Sequence, residues 1–209
     1  HYLNMLKVSM LSYDEELFYH VTNQFLSSHS KAEAIEKLFL PFLQKIGLLW
    51  VTSAICPAQE HFVSNLIRQK LYAWVDEKQG KFNEDSDVYV LYLPEMEIHE
   101  ISLLMLHFLA RDRGYRSVFL GQSVPAEDLP LIAQKFKSIN FVSFCTTKPS
   151  TNDVESYLKK LQLIFGNSDC TFHFAGPVFN LVKAPADGFI RVYEKAEVLL
   201  EQLFSKVSV

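Results

Sequence analysis

The segment that most constrains this chain runs from Val88 to Gly121. It opens on an unbroken apolar run, Val88-Tyr89-Val90-Leu91-Tyr92-Leu93, rich in β-branched and aromatic residues. A loop beginning at Pro94 follows. Next comes a strongly apolar helical stretch that ends in Arg111, Arg113 and Gly114, and then a second strand-like run, Val118-Phe119-Leu120. Strand, loop, helix and strand make one βαβ unit, which commits the chain to parallel pairing and an α/β fold. In open α/β sheets, ligands bind beyond the carboxyl ends of the strands. The loop at that end carries Glu97, His99 and Glu100.

The alternation continues to the end of the chain. Strands are expected at 87–93, 116–120, 139–146, 170–175 and 188–193. Helices are expected near 99–113, 126–137, 151–165, 177–183 and 194–206. Five strands alternating with helices imply a doubly wound parallel sheet of flavodoxin-like (Rossmann-like) order 2-1-3-4-5, with its switch point beside the first strand. The Glu97/His99 loop therefore falls at the expected binding crevice.

Before Asp87 the pattern differs. Residues 3–80 lack strand alternation, and apolar residues recur at helical spacing in four segments. These run from Leu3 to Leu11; from Glu15 to about Ser27, capped by Asp14; from about Ala32 to Ser53, with a break or kink at Pro41; and from Pro57 to about Glu77. Short joins make this a four-helix bundle over 1–80. The polar stretch 76–85 reads as a linker to an α/β domain over 86–209.

Composition excludes several classes. The chain has 209 residues, 49% hydrophobic and 21% charged, which is globular and not disordered. A formal net charge of −4 argues against non-specific nucleic-acid binding by this segment. Cys56, Cys145 and Cys170 form no CxxC pair, so neither a thiolate zinc site nor a disulfide framework is expected, and a reducing cytoplasm is. No apolar run is long enough for a membrane span, and no secretory signal is visible. The chain opens on His1 and not Met, so it reads as a fragment with a possible tag remnant.

Two constellations offer chemistry. A neutral imidazole at His99 suits a transition metal such as cobalt, and Glu97, two residues earlier, can accept its other ring N–H and fix the tautomer. The same residues also read as a solvated loop with an incidental histidine. Trp50 precedes Glu60 and His61 by ten and eleven positions. In a helical hairpin all three can face one end of the bundle, an indole beside hydrogen-bonding groups, although a bundle Trp is also an ordinary core residue. Arg68 and Lys70 read as a solvated face. His20, His29, His107 and His173 have no partner pattern, and Ser143 has no evident base. G-x-G-x-x-G, Walker A and nucleophile-elbow motifs are absent.

In their order and spacing these pieces resemble the C-terminal cobalamin-binding region of MerR-type transcriptional regulators, a helical bundle followed by a Rossmann-like cobalamin-binding domain. Residues 46–71 resemble the bundle signature, a Trp with Glu-His ten and eleven residues on. Glu97-x-His99-x-x-Ser102 resembles D/E-x-H-x-x-G, Ser143-Phe144-Cys145 resembles S-x-L, and Ala175-Gly176 resembles a Gly-Gly pair. The resemblance implies His99 as lower ligand of the cobalt, in place of the cofactor's own base, with Glu97 orienting it. It implies a slot for the displaced nucleotide tail lined by Ser102, Ser143 and Gly176, with Gly121 among the cofactor-binding residues. It implies Trp50, Glu60 and His61 over the upper face. Ser102 and Ala175 stand where the family pattern has Gly, which narrows the slot, and Cys145 stands where it has Leu. Light-sensing members carry His directly after the Trp; here Val51 stands there, so cobalamin binding is implied more than photochemistry.

The function expected on this resemblance is that of a regulator's sensory region, not an enzyme. It binds adenosylcobalamin or methylcobalamin base-off/His-on between bundle and sheet and forms homo-oligomers. DNA is reached only through an upstream winged-helix domain outside this chain, and no membrane is involved. Two alternatives stand beside it: a degenerate regulator domain acting through another ligand or protein contacts, and a corrinoid carrier for methyltransferases.

Overall fold

The computed structural model describes residues 1–80, 87–166, 168–180, 182, 185 and 188–204. The chain divides into two units, His1–Glu77 and Lys78–Val209.

The first unit is helical. Helix α1 spans Tyr2–Ser12. Helix α2 spans Glu15–Leu26, and Asp14 Oδ1 accepts the Leu17 N–H at 2.8 Å as its cap. The third segment starts at α3 (Lys31–Ala34) behind a reciprocal Ser30/Glu33 capping box. It then passes through a π turn at Ile35–Phe39 into α4 (Leu40–Val51). The expected break at Pro41 takes this form. The Leu40 N–H reaches Ile35 O, so the wider turn makes room just before the ring that lacks an N–H. Helix α5 (Pro57–Asp76) begins with Pro57, whose missing N–H would lack a helical partner in any case. Phe18, Phe39 and Trp74 stack through the centre, at centroid separations of 6.3 and 5.7 Å.

The second unit is a parallel sheet of order β2-β1-β3-β4-β5. Its strands are β1 (Val88–Pro94), β2 (Arg116–Val124), β3 (Ile139–Phe144), β4 (Cys170–Ala175) and β5 (Ile190–Val192). Helices α6 (Ile101–Asp112), α7 (Leu129–Ala133), α8 (Val154–Phe165) and α9 (Ala196–Phe204) cross between and beyond them. Every residue of β1 is buried, as a central strand covered on both faces requires. One face packs Val88, Val90 and Tyr92 with Phe141, Phe172, Phe174 and α8. On the other, Tyr89 meets Phe204 of α9.

Several boundaries differ from the sequence expectation. The helix expected over 126–137 is a short 3-10 turn plus α7; Phe136 then leaves it to pack on the core beneath Arg116. Strand β2 continues past Leu120 because an extra residue there makes a bulge: Leu91 pairs with Phe119, but Tyr92 pairs with Gly121. Gly121, at φ +78, takes the backbone conformation the bulge needs. Strand β3 ends at Phe144 because the next residues turn toward Glu97. The helix expected over 177–183 is described only as a 3-10 turn at Pro177–Phe179. Residues 181, 183, 205 and 206 of the expected helices, and 81–85 of the expected linker, lie outside the described residues.

Candidate functional site

Strands β1 and β3 pair from Val88↔Ile139 to Leu91↔Val142 and pair no further. The sheet's switch point opens there, and the chain leaves β1 into the loop 95–100. That loop is tied on both sides. On the β2 side, the Met96 N–H donates to Ser123 Oγ at 3.1 Å and the Ser123 N–H to the Glu97 carbonyl at 3.2 Å. Met96 and Ser123 both hold positive φ, 67° and 52°, so two strained non-glycine residues meet at this edge.

On the β3 side the tie is the Glu97 carboxylate, which is 0% exposed. Its Oε1 accepts the Ile98 and His99 N–H groups at 2.9 and 3.0 Å and the His99 Nδ1–H at 2.6 Å. Its Oε2 accepts the N–H groups of Thr146, Thr147 and Lys148 at 3.0, 2.6 and 2.8 Å. Burial alone would push this carboxyl up. The His99 imidazole and the backbone donors outweigh it and hold the group well below the usual carboxylate range. Sequence reading missed Thr146–Lys148. The only local signal is a polar run after an apolar strand, which says turn but not what the turn binds.

With Nδ1 committed as donor, the neutral ring of His99 carries its lone pair on Nε2. The His99 side chain is 48% exposed, and Met96, Ile98 and Leu120 are exposed on the same loop and adjoining strand. A half-exposed imidazole with an apolar rim suits a flat macrocycle that brings its own metal. Among the described residues no group of three or more His, Cys, Asp or Glu could hold a bare ion. The donor set thus fits a metal whose equatorial positions are already filled.

The residues assigned to a tail slot stand as follows. Ser143 is 0% exposed, and its Oγ donates to the Tyr92 carbonyl at 2.7 Å, across the β1/β3 gap. Gly176, at φ +108, packs so closely on the Cys145 backbone that a Cβ would lie 2.3 Å from the Cys145 carbonyl oxygen. Ser102 is half-buried in the first turn of α6. Gly121 is buried, and a Cβ there would meet Phe119 and Glu100. Cys145 is fully buried, and burial raises its thiol well above the ordinary range.

In the helical unit, Trp50 is 49% exposed near the end of α4, whereas Trp74 is the core indole. Glu60 and His61 lie in the first turn or two of α5, and residues 52–56 join that helix to α4, so all three sit at one end of the unit. His61 Nδ1–H donates to Glu60 Oε2 at 2.6 Å, and Ser64 Oγ also donates to this carboxylate.

Of the histidines given no role, His107 and His173 prove to be core residues. His107 bonds Ser117 Oγ at 3.0 Å. His173 bonds the Tyr193 hydroxyl at 2.9 Å and Asn140 Oδ1 at 3.0 Å. Burial, aided by a nearby arginine in each case, lowers them to about 4 and about 3. No helix among the described residues is long and apolar enough to cross a membrane.

Comparison with known proteins adds three findings. Residues 2–73 match the model of the B12 binding domain family. The chain is 29% identical over 152 residues to the HTH-type transcriptional repressor CarH of Myxococcus xanthus, which is 72% of this chain and 50% of that protein. It thus spans about half the length of that curated relative. The monomethylamine corrinoid protein of Methanosarcina barkeri superposes with a TM-score of 0.72 at 15% identity, covering 94% of each chain, which shows a common fold. Together these show the likeness to the cobalamin-binding region of MerR-type regulators that the motifs suggested.

Proposed function

We propose that the chain is the ligand-sensing region of a MerR-type transcriptional regulator. It binds cobalamin in the base-off form, with His99 as the lower ligand of the cobalt. One observation carries the reading: an accessible imidazole stands at the switch point of an α/β sheet, its tautomer set by a buried carboxylate that six donors hold ionised. The family match over the helical unit and the identity to CarH support cobalamin as the ligand and regulation as the setting.

The cofactor would supply a cobalt ion with one axial position open to an imidazole. The chain's own residues do the rest. Glu97 orients His99 and increases its basicity, the exposed rim shields the ring edge from water, and Trp50, Glu60 and His61 cover the upper face. Ligand that favours one arrangement of such a protein shifts its population, and here the shift would be in oligomeric state. DNA contact would come from a winged-helix domain upstream, and the setting would be the cytoplasm. The proposal includes no catalysis by the chain itself.

The test is retention. Protein incubated with adenosylcobalamin or methylcobalamin keeps a coloured species through desalting, and His99→Ala loses the His-ligated spectrum. A colourless wild-type protein defeats the proposal and favours a domain that has left cobalamin behind. Fold similarity to a corrinoid protein also admits a carrier reading. Transfer of the methyl group from bound methylcobalamin to a methyltransferase substrate would favour that reading, and light scattering that tracks the ligand would favour the regulator.

A further inference from the structure

The loop that carries His99 opens on a turn with an unfavourable residue in it. The Glu97 N–H donates to the Pro94 carbonyl at 3.0 Å, which closes a β-turn with Glu95 and Met96 at its centre. Met96, at φ 67°, takes the left-handed conformation at the third position, where such turns ordinarily carry Gly or Asn. A long side chain is strained there. The compensation comes from β2. Beyond the bulge at Leu120 that strand takes a second extra residue: Tyr92 pairs with Gly121, but Pro94 pairs with Val124. Within this second bulge Ser123 is also left-handed, at φ 52°. Its hydroxyl and its N–H both meet the turn. Ser123 Oγ accepts the Met96 N–H at 3.1 Å, and the Ser123 N–H donates to the Glu97 carbonyl at 3.2 Å.

What this reciprocal pair secures is Glu97. The carboxylate end of that residue is held on the β3 side by the N–H groups of Thr146, Thr147 and Lys148. A side chain fixed only at its far end can pivot about that end when its main chain is loose, and the His99 ring bonded to it would swing as well. Ser123 removes the pivot by holding the main chain of Met96 and Glu97 against β2. Met96 and Ser123 are both exposed. Water can therefore satisfy the Met96 N–H when the hydroxyl is gone, but water does not keep the turn in place.

We infer that Ser123 is a positioning residue for His99: it clamps the Met96–Glu97 turn to β2 and so fixes the direction in which the imidazole meets a ligand. As far as the ligand is a corrinoid, the inference rests on the proposed reading that His99 takes the lower cobalt position. Loss of the Ser123 hydroxyl costs aim and not folding. That distinguishes it from Glu97, whose loss leaves several backbone donors without an acceptor.

The experiment compares Ser123→Gly and Ser123→Asn with the unaltered full chain. Glycine loses the acceptor but adopts the left-handed backbone freely, so a lost bond and a relieved strain oppose each other and the melting temperature should stay near that of the unaltered chain. Asparagine tolerates the same backbone, and its side-chain carbonyl can accept the Met96 N–H. The first readout needs no ligand. Nitrogen NMR shifts of the His99 ring at alkaline pH report which ring nitrogen carries the proton. The unaltered chain and Ser123→Asn should hold the Nδ1–H tautomer, and Ser123→Gly should show a mixture with Nε2–H. The second is a spectroscopic titration with methylcobalamin. Ser123→Gly should bind roughly tenfold more weakly, with a smaller imidazole-ligated fraction, and Ser123→Asn should restore both. A Ser123→Gly protein with an unchanged tautomer or an unchanged affinity overturns the inference. So does one that melts far below the unaltered chain, because Ser123 would then serve the fold. An unaltered chain that binds no methylcobalamin defeats the reading beneath, while the tautomer comparison still decides whether Ser123 positions the ring.

Discussion

Two carboxylate–imidazole pairs of nearly equal local geometry occupy the two units, and they are held in opposite ways. His61 and Glu60 meet at 2.6 Å, as do His99 and Glu97. The first pair sits on consecutive residues of one helix, with its imidazole largely in solvent. Glu60 gains only a neighbouring serine from the same helix. The second pair looks equally local in sequence, yet its carboxylate is fully buried and receives three backbone N–H groups from a loop some fifty residues away. A local pair on a helix is an adaptable contact. A carboxylate ringed by donors from two loops is a fixed element, and its imidazole is aimed before any ligand arrives.

The strongest way to break this comparison is Glu97→Ala. It leaves five backbone N–H groups without their acceptor. The expected loss is about 3–5 kcal/mol, as for breaking a buried charged network, measured by urea denaturation. Glu97→Gln keeps the shape but turns an NH2 toward N–H donors on one side, so it should also destabilise, by at least about 1–3 kcal/mol. A loss for Glu97→Ala below about 1 kcal/mol would place this pair in the same class as Glu60–His61.

Acid sharpens the contrast next. Glu97 has a folded pKa below its unfolded value, so its contribution is present above about pH 4.3 and is lost as pH falls. His107 and His173 are lowered to about 4 and about 3. Between those values and about 6.5 the unfolded chain binds more protons at each histidine, so their share of stability is full above that window and drains as pH falls through it. All three groups belong to the sheet unit, whereas both tryptophans belong to the helical one. Amide protection in β1, β3 and β4 should therefore fall by a few kcal/mol between pH 7 and 4, while indole emission still reports a folded helical core. Indole emission that shifts first would reverse the comparison.

The smallest effect is expected at the other pair. Glu60→Ala should change unfolding free energy by no more than about 1 kcal/mol, because a partly exposed pair on one helix gains little. Its effect should instead appear in cofactor affinity if Glu60 helps to cover the upper face. Loss of helical-unit stability with no change in retained cobalamin would remove Glu60 and His61 from the proposed site.

The sequence by itself determined the architecture and where in it the Glu97/His99 pair falls. Unbroken apolar runs and helical periodicity set the element order, and the βαβ unit from Val88 to Gly121 set the parallel sheet and its switch point. Asp14, Pro57 and Gly114 marked helix ends through purely local chemistry: a side-chain acceptor, a missing N–H, and a left-handed cap at φ +83. Glu97 and His99 were legible as a pair because they are two residues apart.

Only the tertiary structure decided what surrounds that pair. Thr146–Lys148 reach Glu97 through the sheet, Ser123 reaches it from β2, and Ser143 turns its hydroxyl to the Tyr92 carbonyl. None of these follows from spacing, because hydrogen bonds between loops depend on where strands stop pairing and on which backbone groups are left to be satisfied there. Local periodicity fixes which elements form. The demand that every buried donor and acceptor be paired fixes how their ends meet, and in this chain the candidate site lies at those ends.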